Sequence, residues 1–184
     1  MLKILSLCTG VALLLPNLAD AEMVTWEANG HSYELVDMGL VTWEQARDYA
    51  SEMGGYLATP TSEAENNWIF ETLNLSNLEY WHIPSGTGPA LGGLWSASTQ
   101  QWEWITGEEW DWNNLVSTNP PTDTTVDWGL GYSSWNDTWQ NYPYNDPGSA
   151  VIHHETFVVE WDEVPTPGAL ALLGLAGLRS RRRS

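Results

Sequence analysis

Cysteine is almost missing from this chain of 184 residues. The single one, Cys8, excludes any disulfide within the chain and leaves no pair of thiolates for a zinc site. Basic residues are nearly as scarce: 6 Lys and Arg stand against 24 Asp and Glu, a formal charge of −18. Most of the cations sit at the two ends. Between Glu22 and Val164, Arg47 alone faces 23 acids, a formal −22. A polyanion needs a basic footprint, so nucleic acid is excluded as a partner. The C-terminal apolar run, Gly168–Leu178, has eleven residues, against the roughly 20 that span a bilayer. Phosphate loop, nucleophile elbow and dinucleotide fingerprint are all absent.

Aromatic and apolar residues are plentiful. The chain is 42% hydrophobic and holds 13 Trp, which is enough apolar surface to exclude disorder. The length fits one domain with short tails, and no internal repeat is visible. The acidity attracts cations diffusely and opposes compaction by self-repulsion. A saline habitat would favour the same composition.

Both ends read as tags. Lys3, the apolar run Ile4–Leu15 and the small residues of Ala19-Asp20-Ala21 form the pattern of a secretory signal peptide over residues 1–21. Leu7 before Cys8 lacks the small residue of a lipoprotein site. The mature chain would then contain no cysteine. At the other end, Pro165-Thr166-Pro167 precedes the apolar run, and Arg179-Ser180-Arg181-Arg182-Arg183-Ser184 follows it. This tail, residues 165–184, resembles the PEP-CTERM sorting signal, with Thr166 where that family prefers Glu. The resemblance implies export, transient membrane association through the tail and removal by an exosortase. It also implies a Gram-negative bacterium with an exopolysaccharide-associated envelope, the protein being secreted to its surface or matrix.

Residues 22–164 read as one α+β domain. His31–Met38 alternates as a strand, with Tyr33, Leu35 and Asp37 on one side. Thr42 and Gln45 form a capping box, and Trp43, Ala46, Ala50 and Met53 share one helical face that ends at Gly54-Gly55. Ser62 with Glu65 forms a second box, opening a helix with Trp68, Ile69, Thr72, Leu73 and Leu75 at helical spacing. Beyond Tyr80 this periodicity gives way to Gly, Pro, Ser, Asn and Trp. Short strands are expected within Trp95–Trp104 and Val126–Tyr132, and loops at Thr118–Thr125 and Asn141–Ser149. Thr156–Trp161 (TFVVEW) reads as a closing strand.

Several motifs in this order carry a second resemblance. They are Trp43-Glu44-Gln45-Ala46, Gly54-Gly55-Tyr56-Leu57-Ala58-Thr59 and Ser62-Glu63-Ala64-Glu65-Asn66. Tyr80-Trp81-His82-Ile83, Trp102-Glu103-Trp104-Ile105-Thr106-Gly107-Glu108, Trp135-Asn136-Asp137 and Phe157-Val158-Val159-Glu160-Trp161 follow. From about residue 31 to 162 the chain resembles a C-type lectin-like domain. The resemblance implies paired first and last strands, two flanking helices, short antiparallel sheets and a long loop region carrying ligand sites. Tyr80–Ile83 would be a strand entering the core. Many members of that family use disulfides, which this chain cannot form. Burial of its Trp residues is the expected replacement, and most of the 13 read as core.

In sugar-binding members of that family a Ca²⁺ ion bridges protein and sugar through oxygen ligands. Carried over here, the ligands would be Asn119, Asp127, Asn136 and Asp137, with Asp123 as a further candidate. The family's Glu-Pro-Asn type triplet falls at Asn119-Pro120-Pro121, which supplies fewer ligands than Ca²⁺ takes. The alternative is that Trp135-Asn136-Asp137 is a structural turn in which Asn136 bonds its own backbone. No sugar class follows from Asn-Pro-Pro. Trp110, Trp112 and Trp139 are the candidate exposed aromatic contacts. His153 and His154 read as loop or surface residues rather than a metal pair, because neighbours on a strand face opposite ways. Glu108 and Glu109 lack the opposed placement of a hydrolase pair. The expectation is a non-enzymatic, secreted binding protein for carbohydrate or exopolysaccharide, using a partly degenerate Ca²⁺ site. The alternative is a calcium-independent module that binds protein or builds extracellular matrix.

Overall fold

A computed structural model describes residues 23–117, 121–143 and 154–162. The tags expected at 1–21 and 165–184 lie outside these residues. Strand β1 is Val24–Thr25 and β2 is Ser32–Val41. Helix α1 (Trp43–Glu52), strand β3 (Tyr56–Leu57) and helix α2 (Glu63–Thr72) follow. Next come β4 (Thr87–Ser96), β5 (Gln101–Trp104), β6 (Trp128–Ser133), β7 (Trp139–Pro143) and β8 (His154–Trp161). The eight strands among the described residues join one sheet, ordered β1-β2-β8-β4-β6-β7, with β3 on β8 and β5 on β4. The sheet is mixed, because β4 and β8 run parallel where Ala90 meets Phe157.

The first and last strands pair as expected, from Ser32 opposite Trp161 to Val41 opposite His154. The strong β-propensity of β8 places it between β2 and β4. Its alternation sorts the core. Phe157, Val159 and Trp161 pack with α1 through Trp43, Ala46 and Ala50. Val158 packs on the other side with Tyr33, Ile69 and Leu130.

Helix α1 starts where its box predicts. Gln45 N–H donates to Thr42 Oγ1 at 3.2 Å, and Gln45 Oε1 accepts from Thr42 N–H at 2.9 Å. Two residues past its end, Gly54 takes φ +81°. The second box is only half formed. Ser62 Oγ accepts from Glu65 N–H at 3.2 Å, but the Glu65 carboxylate turns to the Thr61 backbone and hydroxyl instead. Helix α2 stops at Thr72, and Asn74 takes φ +52°, so Leu75 is buried from beyond the helix.

Two expectations about the Gly-rich stretch are corrected. Tyr80–Ile83 is not a strand: Leu78–Tyr80 is a single 3-10 turn and Trp81 is buried behind it. The strand entering the core is β4 (TGPALGGLWS), longer than the Trp95 end that the sequence suggests. Its glycines hide it because they make room for neighbours. A Cβ on Gly88 would stand 2.6 Å from the Trp81 ring, and one on Gly92 would meet the carbonyl oxygen of Leu57. The expected loop at Asn141–Ser149 is corrected at its start, since Asn141–Pro143 completes β7; residues 144–149 lie outside the described set. His154 is also corrected. It is buried at the head of β8, with Nδ1 donating to the Gly88 carbonyl at 2.7 Å.

Candidate functional site

After β5 the chain crosses the sheet face without regular structure and carries a run of indoles with it. Trp110 stacks on Trp102 with centroids 5.9 Å apart and planes 19° apart, and meets Trp104 at 4.4 Å. Trp139 stands edge-on to both Trp104 (5.6 Å) and Trp112 (5.1 Å). Trp110 and Trp112 are half-buried, packed against the core. Trp139 is not an exposed contact. It is fully buried at the start of β7, and its Nε1–H donates to Asn66 Oδ1 at 2.8 Å. Its rings are closed in by the loop and α2, so it serves the fold. Three indole N–H groups in this cluster, of Trp95, Trp102 and Trp104, are buried without a partner.

The oxygens carried over for Ca²⁺ do not gather in one place. Asn119 lies outside the described residues. Asp123 is exposed and accepts from the Thr125 hydroxyl (2.6 Å) and amide (2.9 Å), which hold its carboxyl below the usual range. Asp127 accepts from Ala97 N–H at 2.8 Å, beside the β4–β5 turn. Asn136 and Asp137 follow the other end of β6, and six residues of strand separate the two ends by ~17 Å or more. Asn136 Oδ1 is already committed to the Thr138 amide (2.9 Å) and hydroxyl. That is the structural turn given above as the alternative. Among the described residues, no three His, Cys, Asp or Glu side chains come together to hold a metal ion. Ca²⁺ takes about six to eight oxygens, so these residues do not fit the ion as one site.

The same turn presents a residue that is not among the candidate contacts named above. Of the 13 Trp, six are buried, six are half-buried, and Trp135 alone is exposed, at 47%. Ser134 and Trp135 form the β6–β7 turn with φ +58° and +59°. Left-handed backbone at both central positions suits a type I′ turn, where Asn-Gly is the usual choice. A side chain there costs ~1–2 kcal/mol per residue. The turn is pinned on several sides. Ser134 N–H donates to Gly86 O at 3.1 Å, and the Asp137 carbonyl accepts from Asn66 Nδ2 (3.1 Å) and Asn114 Nδ2 (2.8 Å). The six-membered ring of Trp135 lies over Gly86, where a Cβ would stand 3.6 Å from Cζ2. The only sequence signal is negative: Ser-Trp is a poor pair for such a turn.

A second polar cluster lies inside the frame. Tyr33 O–H donates to Glu65 Oε1 (2.6 Å) and also stands 3.2 Å from Glu160 Oε1. His31 Nδ1 lies 2.6 Å from the same Glu160 oxygen, and Thr59 N–H donates to Glu160 Oε2 at 2.8 Å. Burial would lower the His31 pKa, but the hydrogen bond and charge of Glu160, with Asp162 and Glu65 nearby, raise it overall. Burial raises the Glu160 pKa against the opposing hydrogen bonds from Thr59 and His31. Both carboxylates are closed to solvent, at 3% and 1% exposure, so the cluster braces the fold rather than meeting a ligand.

No family profile matches the chain, and no curated protein matches it in sequence. Solved structures do match. The cow CD23 C-type carbohydrate-recognition domain superposes with TM-score 0.57 at 14% identity, over 77% of this chain and 93% of its own. Human lithostathine gives 0.58 at 15% identity, over 76% and 95%. The SPL-1–GlcNAc complex gives 0.54 at 18% identity, over 72% and 88%. The fold is the C-type lectin-like fold. In this lectin-like domain the two helices and the β2–β8 pair form the frame, and the Trp-rich segment after β5 occupies the loop region.

Proposed function

We propose that this is a non-enzymatic binding protein whose ligand is carbohydrate, exported by its N-terminal segment and held at a bacterial envelope or its matrix. The observation that carries the reading is the loop region of a lectin-like fold that leaves Trp110 and Trp112 half-buried on a cluster of indoles. Support comes from cow CD23, described with a GlcNAc2Man3 oligosaccharide, and from SPL-1, described with GlcNAc. Sugars are held here by aromatic faces and hydrogen bonds, not by an ion shared between Asp127 and Asn136–Asp137. The test is a glycan array probed with the protein, with and without chelator, at about 0.15 M salt to suppress diffuse cation binding. Binding retained in chelator is the expected result. Binding lost in chelator would restore Ca²⁺ to the mechanism. No binding to any glycan would move the protein to the calcium-independent protein-binding or matrix role.

A further inference from the structure

We infer that Trp135 is a stacking platform for the apolar face of a neutral pyranose ring. This rests on the carbohydrate reading above and assigns it a subsite. Three independent observations converge on the ring. It is the one exposed indole of 13. It sits at φ +59°, a conformation that a bulky side chain adopts only when something else holds it there. And it is held rigidly: Gly86 lies beneath it, and the turn is anchored through Ser134, Asn136 and the Asp137 carbonyl.

The surroundings specify the ligand. The turn is otherwise polar, with Ser134 and Asn136 exposed and Asp137 half-exposed. The neighbouring loop that ends at Gly86 adds only two exposed apolar side chains, Ile83 and Pro84. A protein partner's core contact favours a broad desolvated patch. A single flat ring among hydroxyl and amide groups instead matches a sugar, which offers one C–H face and a rim of hydroxyls. The formal −22 between Glu22 and Val164 repels uronate- or sulfate-bearing chains, so the ring is that of an uncharged sugar. The site is continuous with the loop region, because Asn114 Nδ2 donates to Asp137 O and Trp139 N–H donates to Asn114 O at 2.9 Å.

The experiment uses Trp135→Gly and Trp135→Phe in the full protein, on an array of neutral and uronate-bearing oligosaccharides, followed by calorimetric titration of the best neutral binder. Glycine removes both the ring and the backbone strain. The expected result is at least a tenfold weaker Kd together with a thermal midpoint raised by about 3 °C, and partial retention of binding with Phe. Such a split, more stable yet unable to bind, is not what a structural tryptophan gives. Unchanged sugar affinity in Trp135→Gly overturns the platform and leaves the carbohydrate reading standing. Preference for uronate-bearing chains overturns the neutral-sugar assignment. A wild-type protein that binds no glycan removes both readings together.

Discussion

The polar cluster around Tyr33 and the indole cluster around Trp104 bury polar groups by opposite rules. Around Tyr33, two carboxylates are sealed inside the protein, and each has partners: Asn29, Tyr33 and Thr61 for Glu65, and His31, Tyr33 and Thr59 for Glu160. Around Trp104, three indole N–H groups are sealed with none. Leaving such a group unpaired costs about 1–3 kcal/mol. A buried indole removes 150–250 Å² from water, worth ~4–6 kcal/mol gross at the usual coefficient. Area therefore outweighs the unpaired donors. The Tyr33 cluster fixes its geometry by directional bonds, whereas the indole cluster of β4 and β5, on which the loop region packs, relies on non-directional burial. The lesson is that a domain without disulfides can stabilise its loop region with aromatic area and tolerate imperfect bonding there.

That contrast can be broken at its strongest point. Trp139→Ala removes a buried ring that touches Trp104 and Trp112 and orphans Asn66 Oδ1. The expected loss is ~3–5 kcal/mol in urea unfolding, comparable to other Trp truncations. A loss below about 1 kcal/mol would mean that the loop region does not unfold with the frame. In the frame, Tyr33→Phe deletes the hydroxyl that donates to Glu65 Oε1 and stands 3.2 Å from Glu160 Oε1. It should cost about 1–3 kcal/mol despite the small change in volume. Loss of only a few tenths of a kcal/mol would refute the directional account.

Acidity sharpens the same comparison. In the folded protein His31 and Glu160 both hold protons more tightly than their ordinary values of 6.5 and 4.5. Stability from groups of this kind is complete below those ordinary values and is lost as pH rises through the raised ones. Relief of repulsion among the acids acts in the same direction. The thermal midpoint should therefore rise as pH is lowered from 8 to 6, and Glu160→Gln should flatten that response. A midpoint that falls over this interval in the wild type would contradict the assignment. At the lower end of the scale, Thr42→Ala should cost about 1 kcal/mol through the lost cap of α1. Smallest of all, Trp102→Phe should change stability by less than ~1 kcal/mol, because lost area is offset by removal of a buried unpaired N–H. A large loss there would show that the Trp102 N–H has a partner.

Much of the frame is legible in the sequence. The Thr42–Gln45 box, the Gly54 stop and the alternation of β8 depend on residues within a few positions of one another. The Ser62–Glu65 box forms only by half because the Glu65 carboxylate is taken by Thr61 through one oxygen and, from 32 residues away in sequence, by Tyr33 through the other. Strand β4 is nearly invisible in the sequence, since its glycines answer to Trp81 and to the Leu57 backbone rather than to any local rule. The site is less legible still. Motif order marks Trp135-Asn136-Asp137 as special but points to its two polar residues rather than to its ring. Trp139 passes for an exposed contact because nothing local distinguishes a ring on the inner side of a strand from one on a loop.

The sequence by itself determined the sign of the charge, the absence of disulfides, the caps, the closing strand and the lectin-like order of elements. All of these are set by composition or by neighbours along the chain. Tertiary structure alone decided that Asp127 and Asn136 stand at opposite ends of β6, that Trp139 is enclosed, and that Trp135 is the ring left in solvent. Those outcomes follow from strand register and from contacts such as Asn66 with Trp139, 73 residues apart. Long-range pairing selects which copy of a chemically identical side chain is buried and which is presented.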